Sequence, residues 1–522
     1  MAVMSWASFG SLSNMKAWVQ GNIFALFLVA FLGLALPGFL AYWLMISPFL
    51  VLYVARYIVL VGLLLLAFQI AIRGAPWYVR VVLAMILGQM LFNYGFSNIV
   101  IGAGGAKFTM AELGVAIGLL FLLPKTFPVL RHIPAFWVCM TALLVPPAIH
   151  LYPNIRDYGM AALRDVLSVV DLMYFLAGLS VCIYGLMMGR WMAWRMRFLT
   201  IWIIGGSIYG AMAPLSPYIL AISPGFQSYQ QTIPVLGHML TAPYNAIAAV
   251  AAWYAVPRLY PAAAWLRYPL VVVVMLGSLA AIVLAQSRNL YGAFLLLPVV
   301  LAYFGYRKAF SATLAGVVLM IAALGLLETF EVKIPGRISD VTLSAFVDRI
   351  LSVSGKHGDA VGAHGVQQRM DWWSSSLNKW SVSPETMVFG LGYGQALTNF
   401  SAPGGDYGEG VVVREPHNSF ISSLSRGGVV YLCLWLYLIL SPVIAAAKGA
   451  RMTNLDPETS MNYRGVATLM VIVMGMLLLT AVSEPIFETP SIAAMYYFVA
   501  GVAIVEYLVV SGRIRVPALG AK

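Results

Sequence analysis

The sequence predicts an all-α integral membrane protein with about fourteen transmembrane helices. Of its 522 residues, 61% are hydrophobic and only 10% are charged, whereas a soluble domain is about a quarter charged. Apolar stretches recur along the chain, and each is long enough to cross about 30 Å of hydrocarbon as a helix. One polar segment of 91 residues, 328–418, interrupts the pattern. The chain is therefore mostly membrane-embedded helix with a single large hydrophilic loop.

Hydropathy and charge together predict the topology. The candidate spans are 23–46, 49–72, 79–101, 108–124, 133–150, 166–187, 198–222, 235–256, 268–285, 289–305, 309–327, 419–446, 465–483 and 491–510. Basic residues concentrate in alternate short loops, among them Arg73, Lys125, Arg131, Arg190, Arg197, Arg258, Arg307, Lys308, Lys448 and Arg451. By the positive-inside rule, both termini are predicted to lie in the cytoplasm. The net charge of +12 then reflects topology and contact with anionic membrane lipids, and we expect no nucleic-acid partner.

The polar segment divides the chain into three parts. Helices 1–11 occupy 1–327, the large loop at the outer face occupies 328–418, and three further helices with a cytoplasmic tail occupy 419–522. The loop is predicted to be structured, because residues 366–380 read as a short helix that carries Trp373, Leu377 and Trp380 on one face. Ten of the 19 acidic residues lie in this loop.

Three places at the outer face carry candidate functional residues. Ser287 and Arg288 lie between two spans that hold them at the membrane boundary. Arg369 lies at the start of the predicted loop helix. His417 and Asn418 follow Glu415 and Pro416 immediately before a span, and Glu415 is a candidate to orient the imidazole. Taken singly, each residue is as readily explained as a solvated or snorkelling side chain.

Together these residues fit one chemical task. A glycan that is carried on a polyprenyl diphosphate leaves a strongly anionic lipid diphosphate behind, and the planar guanidinium of Arg binds phosphate oxygens bidentately. An acceptor hydroxyl needs a base that works near neutral pH, which suits His. The outer loops show no clustered carboxylates of the kind that Mg²⁺ requires, so no metal and no cofactor are expected.

Several charged residues fall inside spans or at their ends. Arg164 is a further candidate for contact with the diphosphate or the first sugars, and structural pairing between helices is an equally good explanation. The same two explanations apply to Arg56, Glu112, Asp165, Asp171 and Arg426. Glu484 and Glu488, at the outer end of a span, are interpreted as solvated loop charges or as residues that face the same cavity.

Three stretches resemble the superfamily of O-antigen ligases and polysaccharide polymerases. These are AQSRNLYGAFLLLP (285–298), QRMDWWSSSLNKW with VFGLGYG (368–394), and EPHNSFISSLSRGGVVYLCLWL (415–436). The family shows a Ser-Arg at an outer span boundary, an Arg that opens a loop helix, a G-x-G and a His-Asn. These motifs fall here on Ser287–Arg288, Arg369, Gly392–Gly394 and His417–Asn418, with Gly428 about ten residues later.

The resemblance implies a GT-C-like enzyme of the bacterial inner membrane whose active site faces the periplasm. It implies an undecaprenyl-diphosphate-linked glycan as donor, a lipid A-core or growing glycan as acceptor, and metal-independent transfer with inversion. Arg288 and Arg369 would hold the diphosphate and His417 would act on the acceptor. Fourteen spans favour a polymerase over a ligase, since ligases of this family usually have twelve, and the choice stays open.

Other functional classes fit the sequence less well. A transporter or lipid flippase predicts inverted repeats and broken helices at the membrane midplane, whereas no repeat is evident and the charged residues gather at the outer face. A receptor or scaffold would use the large loop as a docking surface but leaves Arg288 unexplained. A peptidoglycan polymerase of the shape-and-division type shares the lipid-diphosphate donor and remains an alternative within the enzyme class.

Overall fold

The computed structural model describes most of the chain after residue 73. The described ranges are 74–97, 100–101, 108–211, 225–228, 231–234, 242–260, 264–332, 334, 336, 339–351, 360–398, 413–452 and 457–517. The chain divides into two compact units, Met1–Arg80 and Val81–Lys522, and nearly all described residues belong to the second. The predicted spans 23–46 and 49–72, together with Arg56, lie outside the described residues.

Helices make up nearly all of the described chain. The first half contains α1 (Trp77–Phe92), α2 (Tyr94–Ser97), α3 (Met110–Leu130), α4 (Pro134–Tyr158), α5 (Met160–Val170), α6 (Met173–Met187), α7 (Trp191–Ala211), α8 (Ala242–Ala255) and α9 (Ala264–Ala285). The second half contains α10 (Arg288–Tyr303), α11 (Arg307–Thr329), α12 (Leu343–Leu351), α13 (Ala360–Trp380), α14 (Pro384–Phe389), α15 (Ser419–Ala450), α16 (Pro457–Ala481) and α17 (Pro490–Val510). Short 3₁₀ turns lie at Pro257–Leu259 and Ile486–Glu488.

Two small antiparallel hairpins accompany the helices. β1 (Val100–Ile101) pairs with β2 (Phe108–Thr109), and β3 (Gly225–Ser228) pairs with β4 (Gln231–Pro234). β2 leads directly into α3, where Thr109 and Glu112 form a reciprocal capping box that begins the helix. The strands thus serve as short connections in an otherwise helical protein.

Eight helical segments in the described part of the chain are long and apolar enough to cross a membrane. They are Met110–Leu130, Pro134–Tyr158, Met160–Met187, Arg267–Ala285, Arg307–Thr329, Ser419–Ala450, Tyr463–Ala481 and Pro490–Val510, and α1 and α10 are shorter apolar helices. The chain is therefore a multi-pass, mostly helical membrane protein, as the composition predicted. Several helices extend beyond the hydropathy limits. α7, for example, begins at Trp191 and not at 198, and its first turns include the charged Arg195, which is buried because it pairs with Glu506.

α17 lies at the centre of the bundle and packs against α6. A Cβ added at Gly178 would lie 2.3 Å from the carbonyl oxygen of Phe498, and one added at Gly501 would lie 2.4 Å from that of Phe175. Only glycine permits so close an approach of two backbones, which is a common way to associate helices in membranes. The contact between α6 and α17 lies at the centre of the bundle. The candidate site lies next to the N-terminal end of α17.

The large loop is structured, and its main helix is longer than the sequence predicted. α13 begins at Ala360, not at 366, so Arg369 lies in its middle and not at its start. Two glycines among residues 360–365 lower the helix propensity and hide this first turn from sequence analysis. Trp372 is the buried tryptophan of this helix at 7% exposure, whereas the predicted apolar face of Trp373, Leu377 and Trp380 stays partly exposed.

Candidate active site

The G-x-G segment of the loop is bound into a kink of α15. Gly428 has left-handed backbone angles (φ 67°, ψ −172°) that interrupt this helix. In the turn before the kink, the carbonyl oxygens of Ser425 and Arg426 accept hydrogen bonds from Leu391 N at 2.8 Å and Gly392 N at 2.9 Å. The loop backbone thus replaces the helical hydrogen-bond partners of these two carbonyl oxygens. Gly390 in the loop and Gly428 in the helix permit the two backbones to approach this closely.

The other side of the same segment is held by α4 and α5. The Asn154 side-chain oxygen accepts a hydrogen bond from Tyr393 N at 2.8 Å, and Asp165 Oδ2 accepts one from Gly394 N at 2.9 Å. The His150 ring nitrogen lies 2.7 Å from the carbonyl oxygen of Phe389. These contacts fix the loop over the ends of the transmembrane helices.

Replacing Gly392 with alanine should destabilise this arrangement. Gly392 has φ 74°, and a Cβ there would lie 2.2 Å from Asn154 Oδ1, so strain and a clash act together. We expect a loss of more than about 1 kcal/mol, measured as a lower melting temperature of the purified protein in detergent. Gly316→Ala is the matched control, because a Cβ in the helix at Gly316 meets nothing within 4 Å. Equal melting temperatures for the two variants would contradict the proposed tight contact between Gly392 and Asn154.

A buried ionic network, the Asp165 network, connects α5, the loop and α15. Asp165 contacts Arg164 at 2.7 Å, Arg414 at 3.0 Å and Arg426 at 3.1 Å. Arg426 also pairs with Glu415, whose other oxygen accepts a hydrogen bond from Ser422 at 3.0 Å. Burial of these charges is tolerable only because they are paired and hydrogen-bonded.

This network contains two of the residues that the sequence singled out, Arg164 and Glu415. Arg164 is paired with its neighbour Asp165, and its side chain is 39% exposed. Both carboxylate oxygens of Glu415 are bound within the network, and a different carboxylate, Glu484, lies beside His417. The expectation that Glu415 orients the imidazole is therefore replaced by a structural role for Glu415 in the network.

A second cluster joins Arg369 and His417 through Glu484. Arg369 Nη2 lies 2.7 Å from Glu484 Oε1, and His417 Nδ1 lies 3.5 Å from Glu484 Oε2. The three residues come from α13, the start of α15 and the turn between α16 and α17. Burial alone would raise the pKa of Glu484, but the nearby His417 and the charge of Arg369 outweigh it and lower that pKa. Glu484 is therefore an ionised carboxylate shared by the two candidate residues.

The position of His417 is held by its surroundings. Its backbone is left-handed at φ 50°, an uncommon state for a non-glycine residue that is concentrated at functional sites. Its ring lies 5.1 Å from that of Trp372, and Trp373 Nε1 donates to the carbonyl oxygen of Pro416 at 2.8 Å. The imidazole side chain is 22% exposed, so it is both held in place and accessible.

Asn418 performs a local structural task. Its side-chain oxygen accepts hydrogen bonds from Phe420 N at 3.0 Å and Ile421 N at 3.1 Å. This is the N-cap of α15, and it satisfies backbone donors that would otherwise be unpaired at the helix start. The cap fixes where the helix begins and so fixes His417, the residue before it.

The start of α10 lies beside the same cluster. Arg288 is the first residue of α10, and Ser287 is its N-cap residue without a side-chain capping hydrogen bond. Asn289 Nδ2 donates to Ser483 Oγ at 2.6 Å, and Ser483 immediately precedes Glu484. On the other side, Gln286 Nε2 donates to the carbonyl oxygen of Ser339 in the loop at 2.9 Å. The helix start that carries Arg288 is thereby tied to the turn that carries Glu484.

Sequence analysis left Glu484 between a solvated loop charge and a residue that faces the cavity, and it did not single out Arg414. The available signal for Glu484 was the pair of acids in the short outer turn Ser483–Thr489, which contains no basic residue. The second acid, Glu488, accepts a hydrogen bond from Ser419 Oγ at 2.7 Å, and burial followed by the nearby charge of Glu415 raises its pKa to about 7. Glu488 lines a cleft of about 350 Å³ together with Tyr393 and Arg426.

Charge at the described site comes from arginines and single carboxylates. Within the described ranges, no group of three or more His, Cys, Asp or Glu side chains is placed to hold a metal ion. The cluster at Glu484 combines a guanidinium, an imidazole and a carboxylate next to a helix N-terminus, a combination that can hold an anion and move a proton.

Comparison with known proteins gives one family. Residues 270–436 match the family model described as O-antigen ligase. The matched range includes Arg288, Arg369 and His417 and ends before Glu484. Comparison with curated proteins finds no match. The family resemblance inferred from the sequence motifs is thereby confirmed.

Proposed function

We propose that the chain, whose residues 270–436 match the family model described as O-antigen ligase, is a membrane glycosyltransferase that moves a glycan from a polyprenyl diphosphate to an acceptor hydroxyl. The observation that carries the proposal is the convergence of Arg369 and His417 on Glu484. An anion-binding group and a proton-accepting group must lie side by side for such a transfer.

The arginines would bind the diphosphate of the donor. Arg369 carries five N–H donors, of which the contact with Glu484 uses one, so its planar fork can also bind phosphate oxygens. Arg288 stands in the first turn of α10, where the positive end of the helix dipole adds to its charge. Both groups would stabilise the negative charge that grows on the leaving diphosphate as the glycosidic C–O bond breaks.

His417 would act as the general base. The acceptor oxygen attacks the anomeric carbon, the imidazole takes the hydroxyl proton, and the lipid diphosphate leaves from the opposite face, which inverts the configuration. The ionised Glu484 beside His417 would stabilise the imidazolium that forms and would hold the ring in one orientation. We therefore assign Glu484 as a positioning residue.

A reconstituted transfer reaction tests this function. The full-length protein in proteoliposomes should convert an undecaprenyl-diphosphate oligosaccharide and an acceptor into the joined glycan and free lipid diphosphate, and EDTA should leave the rate unchanged. A lipid A-core acceptor that is used in preference to a second donor glycan indicates a ligase, and the reverse preference indicates a polymerase. Movement of the donor across the bilayer without glycan transfer would instead support a flippase, and activity that EDTA abolishes and Mg²⁺ restores would contradict metal independence.

The proposal also requires that the site face the periplasm of a bacterial inner membrane. Reporter fusions near residues 360 and 487 should give periplasmic signals, and fusions near residues 310 and 450 should give cytoplasmic ones. The basic residues Arg307, Lys308, Lys448 and Arg451 at the second pair of positions support this orientation. A cytoplasmic signal near residue 360 would invert the topology and remove the periplasmic site.

A further inference from the structure

A short helix of the large loop leaves three consecutive apolar side chains exposed. α14 ends in Met387, Val388 and Phe389, which are 39%, 41% and 44% exposed, and none of its residues is buried. A run of three exposed apolar residues is unusual on a surface that faces water. These three residues, called the α14 patch below, therefore indicate contact with an apolar partner.

The backbone of α14 is held directly against the kink of α15. A Cβ added at Gly428 would overlap the carbonyl oxygen of Val388, and one added at Gly390 would overlap that of Arg426. Because both contacts are between backbones, no change of side-chain rotamer alters the height of α14 along α15. The α14 patch therefore lies at the level of Gly428.

Gly428 separates a covered part of α15 from a part that faces lipid. Residues 419–428 are all buried or half-buried. Beyond them one face of the helix carries exposed apolar side chains, namely Val429, Val430, Tyr437, Leu440 and Ile444. This face ends at the exposed Lys448, twenty residues after Gly428, or roughly 30 Å at 1.5 Å per residue. Since the hydrocarbon core is about 30 Å thick, Gly428 lies at its boundary on the side of the loop.

A second helix places α14 at the same depth. The carbonyl oxygen of Phe389 lies 2.7 Å from a ring nitrogen of His150 in α4. α4 begins at Pro134, after a turn that contains the exposed Arg131, and His150 follows Pro134 by sixteen residues, or roughly 24 Å. Ile149, beside His150, is 46% exposed, as is usual for a side chain that faces lipid. Both helices therefore place α14 about one hydrocarbon thickness from a basic residue at the opposite boundary.

We propose that the α14 patch inserts into the acyl chains of the membrane leaflet on the side of the loop. The patch would lie at the depth of Val429 and Val430, which follow Gly428 directly. Trp380, whose Nε1 donates to the carbonyl oxygen of Met387 at 3.2 Å, would lie at the headgroup level that tryptophan favours. α14 is then an interfacial anchor that holds the G-x-G segment and the candidate site at the membrane surface.

The continuity of the exposed apolar surface favours lipid over a protein partner. The α14 patch borders the lipid-facing side of α15, because the backbones of Val388 and Gly428 are in contact. The patch carries no charge, and the single charged residue of α14, Glu385, lies in its first turn. A partner protein that covered the patch would also have to displace lipid from Val429 and Val430.

Depth-dependent fluorescence quenching tests the anchor. The full-length protein with Cys433→Ser and Phe389→Cys is labelled with an NBD fluorophore and reconstituted, without donor, into phosphatidylcholine liposomes that contain nitroxide lipids. Cys139 and Cys182 are buried and should not react. A nitroxide near the top of the acyl chain should quench the label strongly, a nitroxide deep in the chain should quench it less, and iodide in the water should leave it unchanged.

Two labelled positions calibrate the depth. The native Cys433 is exposed and lies five residues after Gly428, roughly 7.5 Å deeper, so a label there should be quenched more by the deep nitroxide. Gln367→Cys, with Cys433→Ser, places the label on an exposed residue of α13, where iodide alone should quench it. The melting temperature of each labelled variant shows that it is folded.

Two results would overturn the anchor. Quenching of the label at residue 389 by iodide, with no effect of either nitroxide lipid, would mean that the α14 patch faces water. Protection of that label from iodide and from both nitroxide lipids would overturn the assignment to lipid. It would indicate that a second copy of the chain covers the patch, since no other protein is present.

Discussion

His417→Ala should lower the rate of glycan transfer by roughly 10²–10⁴-fold, the range usual for removal of a general base. Binding of the lipid-diphosphate donor should survive, because the arginines and not the imidazole carry the charge that recognises it. Single-turnover kinetics with saturating donor separate the two effects. His132→Ala is the matched control, since His132 is exposed at the turn between α3 and α4, and it should retain full activity.

Two results would change the role of His417. Full activity in His417→Ala would remove the base from the mechanism. Loss of donor binding in the same variant would make the imidazole a ligand of the diphosphate. A protonated ring would then interact with the diphosphate and with Glu484, which lies 3.5 Å away.

Arg288→Ala and Arg369→Ala should each lower transfer by roughly 10²–10³-fold, as removal of one preorganised donor to a developing oxyanion does. Both variants should also bind the donor more weakly, unlike His417→Ala. Lysine at either position should restore only part of the activity, because a point charge cannot reproduce the bidentate guanidinium fork. The measurements are steady-state rates and donor affinity, at equal amounts of protein in the membrane.

Arg156→Ala is the control for these two variants, because Arg156 lies in α4 two residues after Asn154, which binds the loop, but its own side chain is 76% exposed. Removal of Arg369 leaves Glu484 without its nearest cation, so Arg369→Ala combined with Glu484→Gln should be tested beside the single variant. Wild-type rates in both alanine variants would mean that the diphosphate is bound elsewhere, and the Arg164–Arg414 side of the Asp165 network would be the next place to examine.

The sequence predicts candidate site residues from their chemical type and from their place at a span boundary. Arg288 lies at the junction of two apolar stretches, and His417 directly precedes one, so hydropathy alone locates both. The structure brings Arg369 and His417 together at one carboxylate. It also shows why glycines recur: Gly390 and Gly428 lie so close that a Cβ on either would overlap the backbone of the other segment.

The partners of these residues could not be predicted, because they are set by contacts between distant parts of the chain. Glu484 is 115 residues from Arg369, and Arg414 is 249 residues from Asp165. Spacing within a segment carries no information about such pairs. For the same reason Glu415, adjacent in sequence to the His417 motif, was expected at the imidazole but is bound to Arg426 instead.

The most direct test of the central claim is an experimental structure of the His417→Ala protein with its lipid-diphosphate donor bound. The account predicts diphosphate oxygens within hydrogen-bonding distance of the guanidinium groups of Arg288 and Arg369, with the anomeric carbon facing the space left by the imidazole. A donor whose diphosphate is bound by Arg164 and Arg414, without contact to Arg369, would contradict it.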